Sequence, residues 1–294
     1  MRDMLLEGIT YMHEHTTIDL SEVKRNEDCQ LDVYEETVKE YKKLYSKGVR
    51  NIVDVTNFGM GRNIPFVQRV AEESGINIIH ATGFYQEKFY PIQVFRETKE
   101  ELAERMIREI QEGIKGTDVK AQIIGEIGTS HNAWTEAERK VFEAVVIAHK
   151  ETNKPITTHT SLGTLGHEQV AFFKENGVDL NRVIIGHVDL TGDADYIIHM
   201  LREGAYVEFD TIGKENYMPD QVRADILKQI QELGYIDKVV LSMDITRKSH
   251  LEYKGGLGYS YLLDTFIPIL ERTGITDESI EKLLMRNPIT FFAG

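Results

Sequence analysis

Eight short runs of aliphatic and β-branched residues recur along the chain, separated by segments of helical periodicity, and this alternation restricts the fold more than any other feature. The runs are Ile9–Met12, Asn51–Asn57, Ile76–Thr82, Ala121–Ile127, Pro155–Thr160, Arg182–His187, Ala205–Asp210 and Lys238–Asp244. Asp32–Ser46 is predicted as a helix, because Val33, Thr37, Val38, Tyr41, Leu44 and Tyr45 fall on one side. Thr98–Gly113 and Thr135–Glu151 behave likewise. Helix stops precede four of the runs, at Lys47-Gly48, Ser74-Gly75, Asn176-Gly177 and Glu203-Gly204. Strand and helix alternating eight times predict an α/β fold closed into a (β/α)8 TIM barrel. A doubly wound open sheet is the rival. It normally has fewer strands and carries a glycine-rich phosphate loop after the first. Here the first run leads instead into Met12-His13-Glu14-His15. Barrels of 294 residues form single domains, and no low-complexity linker divides residues 1–294.

Composition excludes several functions. A formal net charge of −14 argues against nucleic acid, which needs a basic face. It leaves a small anionic substrate open, because bound cations supply positive charge locally. The single cysteine, Cys29, cannot form an internal disulfide. No run approaches the roughly 18 apolar residues of a membrane span. The Met1–Gly8 segment is too short, and is interrupted by Glu7, to serve as a signal peptide. The expectation is a cytoplasmic protein with a small-molecule substrate and neither nucleic-acid nor membrane partners.

The polar residues cluster at strand ends. His13 and His15 close the first run, Glu126 lies near the end of the fourth, and His159, His187 and Asp244 end the fifth, sixth and eighth. In a barrel all these positions open into the same mouth, where active sites sit. His13 and His15 are two apart, which puts both imidazoles on one side of an extended strand. Imidazole and carboxylate without thiolate suit zinc foremost, and also manganese, cobalt or iron. Six protein ligands are too many for one catalytic ion that keeps an open position. They divide between two divalent ions bridged by a carboxylate and a water, whose lowered pKa yields hydroxide at neutral pH.

The motifs His13-Glu14-His15, Gly125-Glu126-Ile127-Gly128-Thr129-Ser130, Thr158-His159-Thr160-Ser161, Gly186-His187-Val188-Asp189, Ser242-Met243-Asp244 and Asn287-Pro288 run the full length of the chain. In these it resembles the phosphotriesterase-related branch of the amidohydrolase superfamily, and within it the phosphotriesterase homology protein group. The resemblance implies that His13, His15 and Asp244 hold a more buried ion and that His159 and His187 hold a more exposed one. It also implies that Asp244 takes a proton from the attacking hydroxide. In phosphotriesterases proper a carboxylated lysine on the fourth strand bridges the ions. Here that strand ends Ile123-Ile124-Gly125-Glu126, and Lys120 lies at its other end. Glu126 can supply the bridge directly. Whether it takes the lysine's place turns on register, because a one-residue slip reverses the side chain's direction. Homodimers are common in the family.

Two long segments, Thr211–Asp220 after the seventh run and Ile245–Tyr259 after the eighth, are candidates for substrate contact. They carry Lys214, Arg247 and Lys248, which suit a phosphate or carboxylate, arginine by two-point contact. Some relatives hydrolyse phosphorylated sugar lactones with basic residues from these loops. Tyr85, Tyr217 and His250 are further candidates to line the pocket, Arg62 and Asn63 to cap the mouth or start a helix, and Asp189 to orient a ligand. The expected function is a binuclear metal-dependent hydrolase of a small ester or lactone. Phosphodiester, phosphotriester or amide cleavage at the same centre is the alternative, and an inactive barrel serving as a binding module is the alternative of another class.

Overall fold

A computed structural model describes residues 4–293. The first three residues of the Met1–Gly8 segment and the last residue of the expected 1–294 domain lie outside the described residues. All eight expected strands form. They are β1 (Ile9–Glu14), β2 (Val49–Asp54), β3 (Asn77–Thr82), β4 (Ile123–Thr129), β5 (Ile156–Thr160), β6 (Val183–Gly186), β7 (Tyr206–Phe209) and β8 (Val239–Leu241). They pair in parallel in chain order, and β8 comes back against β1. An antiparallel ribbon, Ile18–Asp19 with Gln30–Leu31, follows β1. The doubly wound alternative is thereby set aside.

The helices follow from the same periodicity. α1 (Tyr34–Ser46), α2 (Ile64–Ser74), α3 (Lys99–Gln111), α4 (Glu136–Thr152), α5 (Gly166–Glu175), α6 (Ala194–Glu203) and α7 (Asp220–Glu232) lie along the chain between strands. Thr98 and Thr135 start α3 and α4 with reciprocal capping to Glu101 and Glu138. Gly48, Gly75, Gly177 and Gly204 all take positive φ at the predicted stops. Asp220, expected at the end of a loop, is instead the first residue of α7.

Strand alternation sorts the apolar residues into two cores. One fills the barrel, with Met12, Val53, Val55, Ile79, Ile123, Ile184 and Val240, and is closed by Leu5, Phe291 and Phe292 from the chain ends. The larger core lies between strands and helices. No helix among the described residues is long and apolar enough to cross a membrane.

Candidate metal centre

The barrel brings the six expected residues together at the C-terminal mouth. Glu126 lies in the middle of β4, three residues before its end, yet points inward. The pairing of β4 with β5 shifts register between Ile124 and Ile127, which interrupts simple alternation at Gly125-Glu126. Gly125 permits this: its φ is +146°, and a Cβ there would meet the Thr157 carbonyl oxygen at 2.2 Å. The Glu126 carboxylate then faces four imidazoles. Its Oε2 lies 3.4 Å from His13 Nε2, 3.1 Å from His159 Nδ1 and 3.7 Å from His187 Nε2. Its Oε1 lies 3.5 Å from His15 Nε2. Asp244 Oδ1 is 3.3 Å from His15 Nε2 and 3.9 Å from His13 Nε2.

The backs of the rings are held by protein acceptors. His187 Nδ1 donates to Asp210 Oδ1 at 2.7 Å. His13 Nδ1 faces Glu208 Oε2 at 3.2 Å and Asp210 Oδ2 at 3.3 Å. Thr56 Oγ1 spends its proton on the Thr17 carbonyl, so it accepts from His15 Nδ1 at 2.8 Å. These contacts leave the Nε2 atoms of His13, His15 and His187 facing the centre, where a cation could take the place of a proton. Among the described residues, the buried Nε2 atoms of His13 and His15 have no hydrogen-bond partner. An unpaired buried nitrogen is costly unless something else binds it, and a divalent cation fits. His13, His15 and Glu126 form one buried group of suitable ligands, and Glu126, His159 and His187 form a second; the two share Glu126.

Electrostatics favour cations here. Burial would raise the Glu126 carboxyl, but His13 and the other imidazoles hold it well below the usual carboxylate range. Burial likewise opposes ionisation of Asp244, and Lys214 with the nearby imidazoles overrides it. Burial lowers His159 to about 4, aided by His187, so its lone pair is free at neutral pH. His187 is driven the other way, to about 10, because Asp210 outweighs burial. Metal binding would displace that proton.

Glu208 and Asp210 join the site without a role predicted from the sequence. The signal was present: two carboxylates two apart in the otherwise apolar run Ala205–Asp210 share one strand face. Asp189 does not orient a histidine. Its carboxylate accepts from Thr211 Oγ1 at 2.5 Å and Arg223 Nε at 2.6 Å. Buried Arg223 also pairs with Asp220 at 2.9 Å. Breaking one side of such a buried pair costs about 3–5 kcal/mol, so the network fixes the start of the β7 loop. Asp210→Asn is expected to weaken divalent-cation affinity by roughly 10–100-fold while the protein stays folded, measured by chelator competition. Unchanged affinity would refute an orienting role.

A cavity of about 760 Å³ opens above the centre. Tyr85, Tyr217, Lys214, Arg247 and His250 line it, joined by Lys24 and Lys88, for which the sequence gives no signal. Tyr85 sets its hydroxyl 3.5 Å from His159 Nε2. Lys214 Nζ contacts Asp244 Oδ2 and donates to the Asp244 carbonyl at 2.6 Å. Among the described residues Arg247 makes a single ion-pair contact, 4.0 Å from Asp28, whereas Lys248 turns away to pair with Asp32 at 2.9 Å. Asn63 caps α2, and Arg62 pairs with Glu109 at 2.6 Å, so neither closes the mouth.

The sequence profile of the phosphotriesterase family matches residues 3–292. The chain belongs to the phosphotriesterase family. It is 48% identical over 285 residues to the phosphotriesterase homology protein of Escherichia coli (strain K12), covering 97% of this chain and 98% of that one. A crystal structure of the phosphotriesterase homology protein from Escherichia coli, with phosphate in its active site, superposes with a TM-score of 0.96 at 48% identity, over 97% of this chain and 99% of that one. A lactonase from Listeria monocytogenes superposes with a TM-score of 0.93 at 28% identity, over 98% and 95% of the two chains. This phosphotriesterase-family hydrolase therefore carries buried His/Glu/Asp clusters consistent with the family's binuclear metal site.

Proposed function

We propose that this hydrolase cleaves a small anionic ester or lactone with two divalent cations, zinc foremost. Four imidazoles sharing the Glu126 carboxylate carry this reading. His13, His15 and Asp244 would hold one cation and His159 and His187 the other, with Glu126 common to both. Bound there, the cations would supply ionised water at neutral pH and polarise the scissile carbonyl or phosphoryl oxygen. Ionised Asp244 accepts the proton released by the attacking water and passes it toward the leaving group. Lys214 must release Asp244 Oδ2 for that transfer, and an anionic substrate entering the mouth offers its ammonium a new partner. Tyr85 hydrogen-bonds a substrate oxygen near His159.

Charge at the mouth supports an anionic substrate. Lys24, Lys88, Lys214 and Arg247 line the cavity of a chain whose net charge is −14. The phosphate in the active site of the Escherichia coli relative agrees with an anionic substrate, and the Listeria relative, a lactonase, agrees with a lactone. The test pairs elemental analysis with hydrolysis of lactones, phosphorylated lactones and phosphate esters. About two ions per chain and a preference for anionic over neutral lactones or esters are expected. Tight metal binding without turnover on the panel would favour a binding barrel instead. Arg247→Ala should raise KM for the anionic substrate about tenfold, with little change in kcat. An equal rise for a neutral analogue would disprove charge recognition by Arg247.

A further inference from the structure

Glu14 lies between His13 and His15, and its side chain turns away from the imidazoles toward the segment after β8. There its Oε1 accepts from Ser242 Oγ and the Met243 N–H, both at 2.8 Å, and its Oε2 accepts from the Ile245 N–H at 3.0 Å. The carboxylate thus grips the backbone on both sides of Asp244. It is fully buried.

The segment needs such a grip. β8 ends at Leu241, so Ser242–Ile245 has no regular ladder of its own. Its four N–H groups are all accounted for: Ser242 donates to the Phe209 carbonyl, Asp244 donates to the His13 carbonyl, and Met243 and Ile245 donate to Glu14. Asp244 itself sits at φ +50°, a left-handed conformation that a residue with a Cβ keeps only when its surroundings hold it. We infer that Glu14 is a positioning residue, whose two oxygens fix the turn that aims the Asp244 carboxylate at the centre. The inference rests on the reading of Asp244 as cation ligand and proton acceptor.

Glu14→Gln tests it. Whichever way the amide faces, its NH2 opposes a donor, either Ile245 N–H or the Met243 and Ser242 pair, so one flank of Asp244 loses its acceptor. Folded protein should still bind two cations, with kcat lower by roughly 10–100-fold and KM within about threefold of wild type. The visible spectrum of the cobalt-loaded protein should shift, because Asp244 no longer presents the same geometry. A merely structural Glu14 would lower the melting temperature but leave the spectrum per bound cobalt unchanged. Wild-type kcat and spectrum in the folded variant would overturn the inference. If Glu14→Gln does not fold, Ser242→Ala removes one of the three bonds and carries the same test: a several-fold lower kcat with a spectral shift supports the inference, and no change overturns it. Asp244→Asn is measured beside them. Full activity there would sink the reading of Asp244 itself, whereas activity lost there but intact in Glu14→Gln would sink only the role given to Glu14.

Discussion

Glu126→Ala is expected to hold fewer than two divalent cations per chain and to lose hydrolysis by roughly a thousandfold. The magnitude follows from the several kcal/mol of charge stabilisation that a cation supplies at the reacting centre, each 1.36 kcal/mol being a factor of ten. The direction follows from the geometry. The variant would leave four imidazoles converging on a space with no shared anion, with Asp244 at one side and Asp210 behind the His13 and His187 rings to balance the charge of two cations. Glu126 is buried, so truncation also leaves a cavity, and metal content must be compared on protein shown to be folded. Elemental analysis and steady-state kinetics on the same preparations decide the matter. A variant that keeps two cations would remove Glu126 from the shared position.

Asp244→Asn should lower kcat by about 10²–10⁴-fold, the range expected for losing a positioned proton acceptor. The amide cannot take a proton at neutral pH, and it offers a cation a weaker ligand. KM for an anionic lactone should change far less, because the cations at the cavity rim lie on other residues. Single-turnover measurements separate the chemical step from product release. A KM effect that exceeds the kcat effect would make Asp244 a substrate-binding group instead.

Much of this arrangement is legible in the residues. The stop glycines and eight apolar runs locate the strands, and the barrel rule carries His13, His15, His159, His187 and Asp244 to one mouth whatever the exact strand bounds. Glu126 was harder. Its direction depends on a register shift between Ile124 and Ile127, which no periodicity argument contains. Asp189 misled for a related reason. His187 has φ +58°, so the chain leaves the strand there and the two-residue rule no longer applies beyond it. Asp210 took the role instead, from a neighbouring strand. Lys24 and Lys88 reach the cavity from a short helix, Ser21–Lys24, and a single 3-10 turn, Glu87–Phe89, that lie between the main elements, and spacing says nothing about where these go. Glu14 was hidden by its neighbours, since attention to the histidine pair passes over the residue between them.

The contact between Glu14 and Ser242 joins positions 228 residues apart. Loop-closure entropy for a separation of that size outweighs three hydrogen bonds alone, so alignment of the intervening strands must come first. The seam between the first and last strands is then the last part of the barrel to be secured and the first to open. The amides of Met243 and Ile245 should exchange with solvent through openings smaller than global unfolding, while those of β5 and β6 wait for the whole barrel to come apart. Catalytic competence in this architecture is therefore a late event in the life of each newly made chain: the centre can exist only once the two ends of the sheet have met.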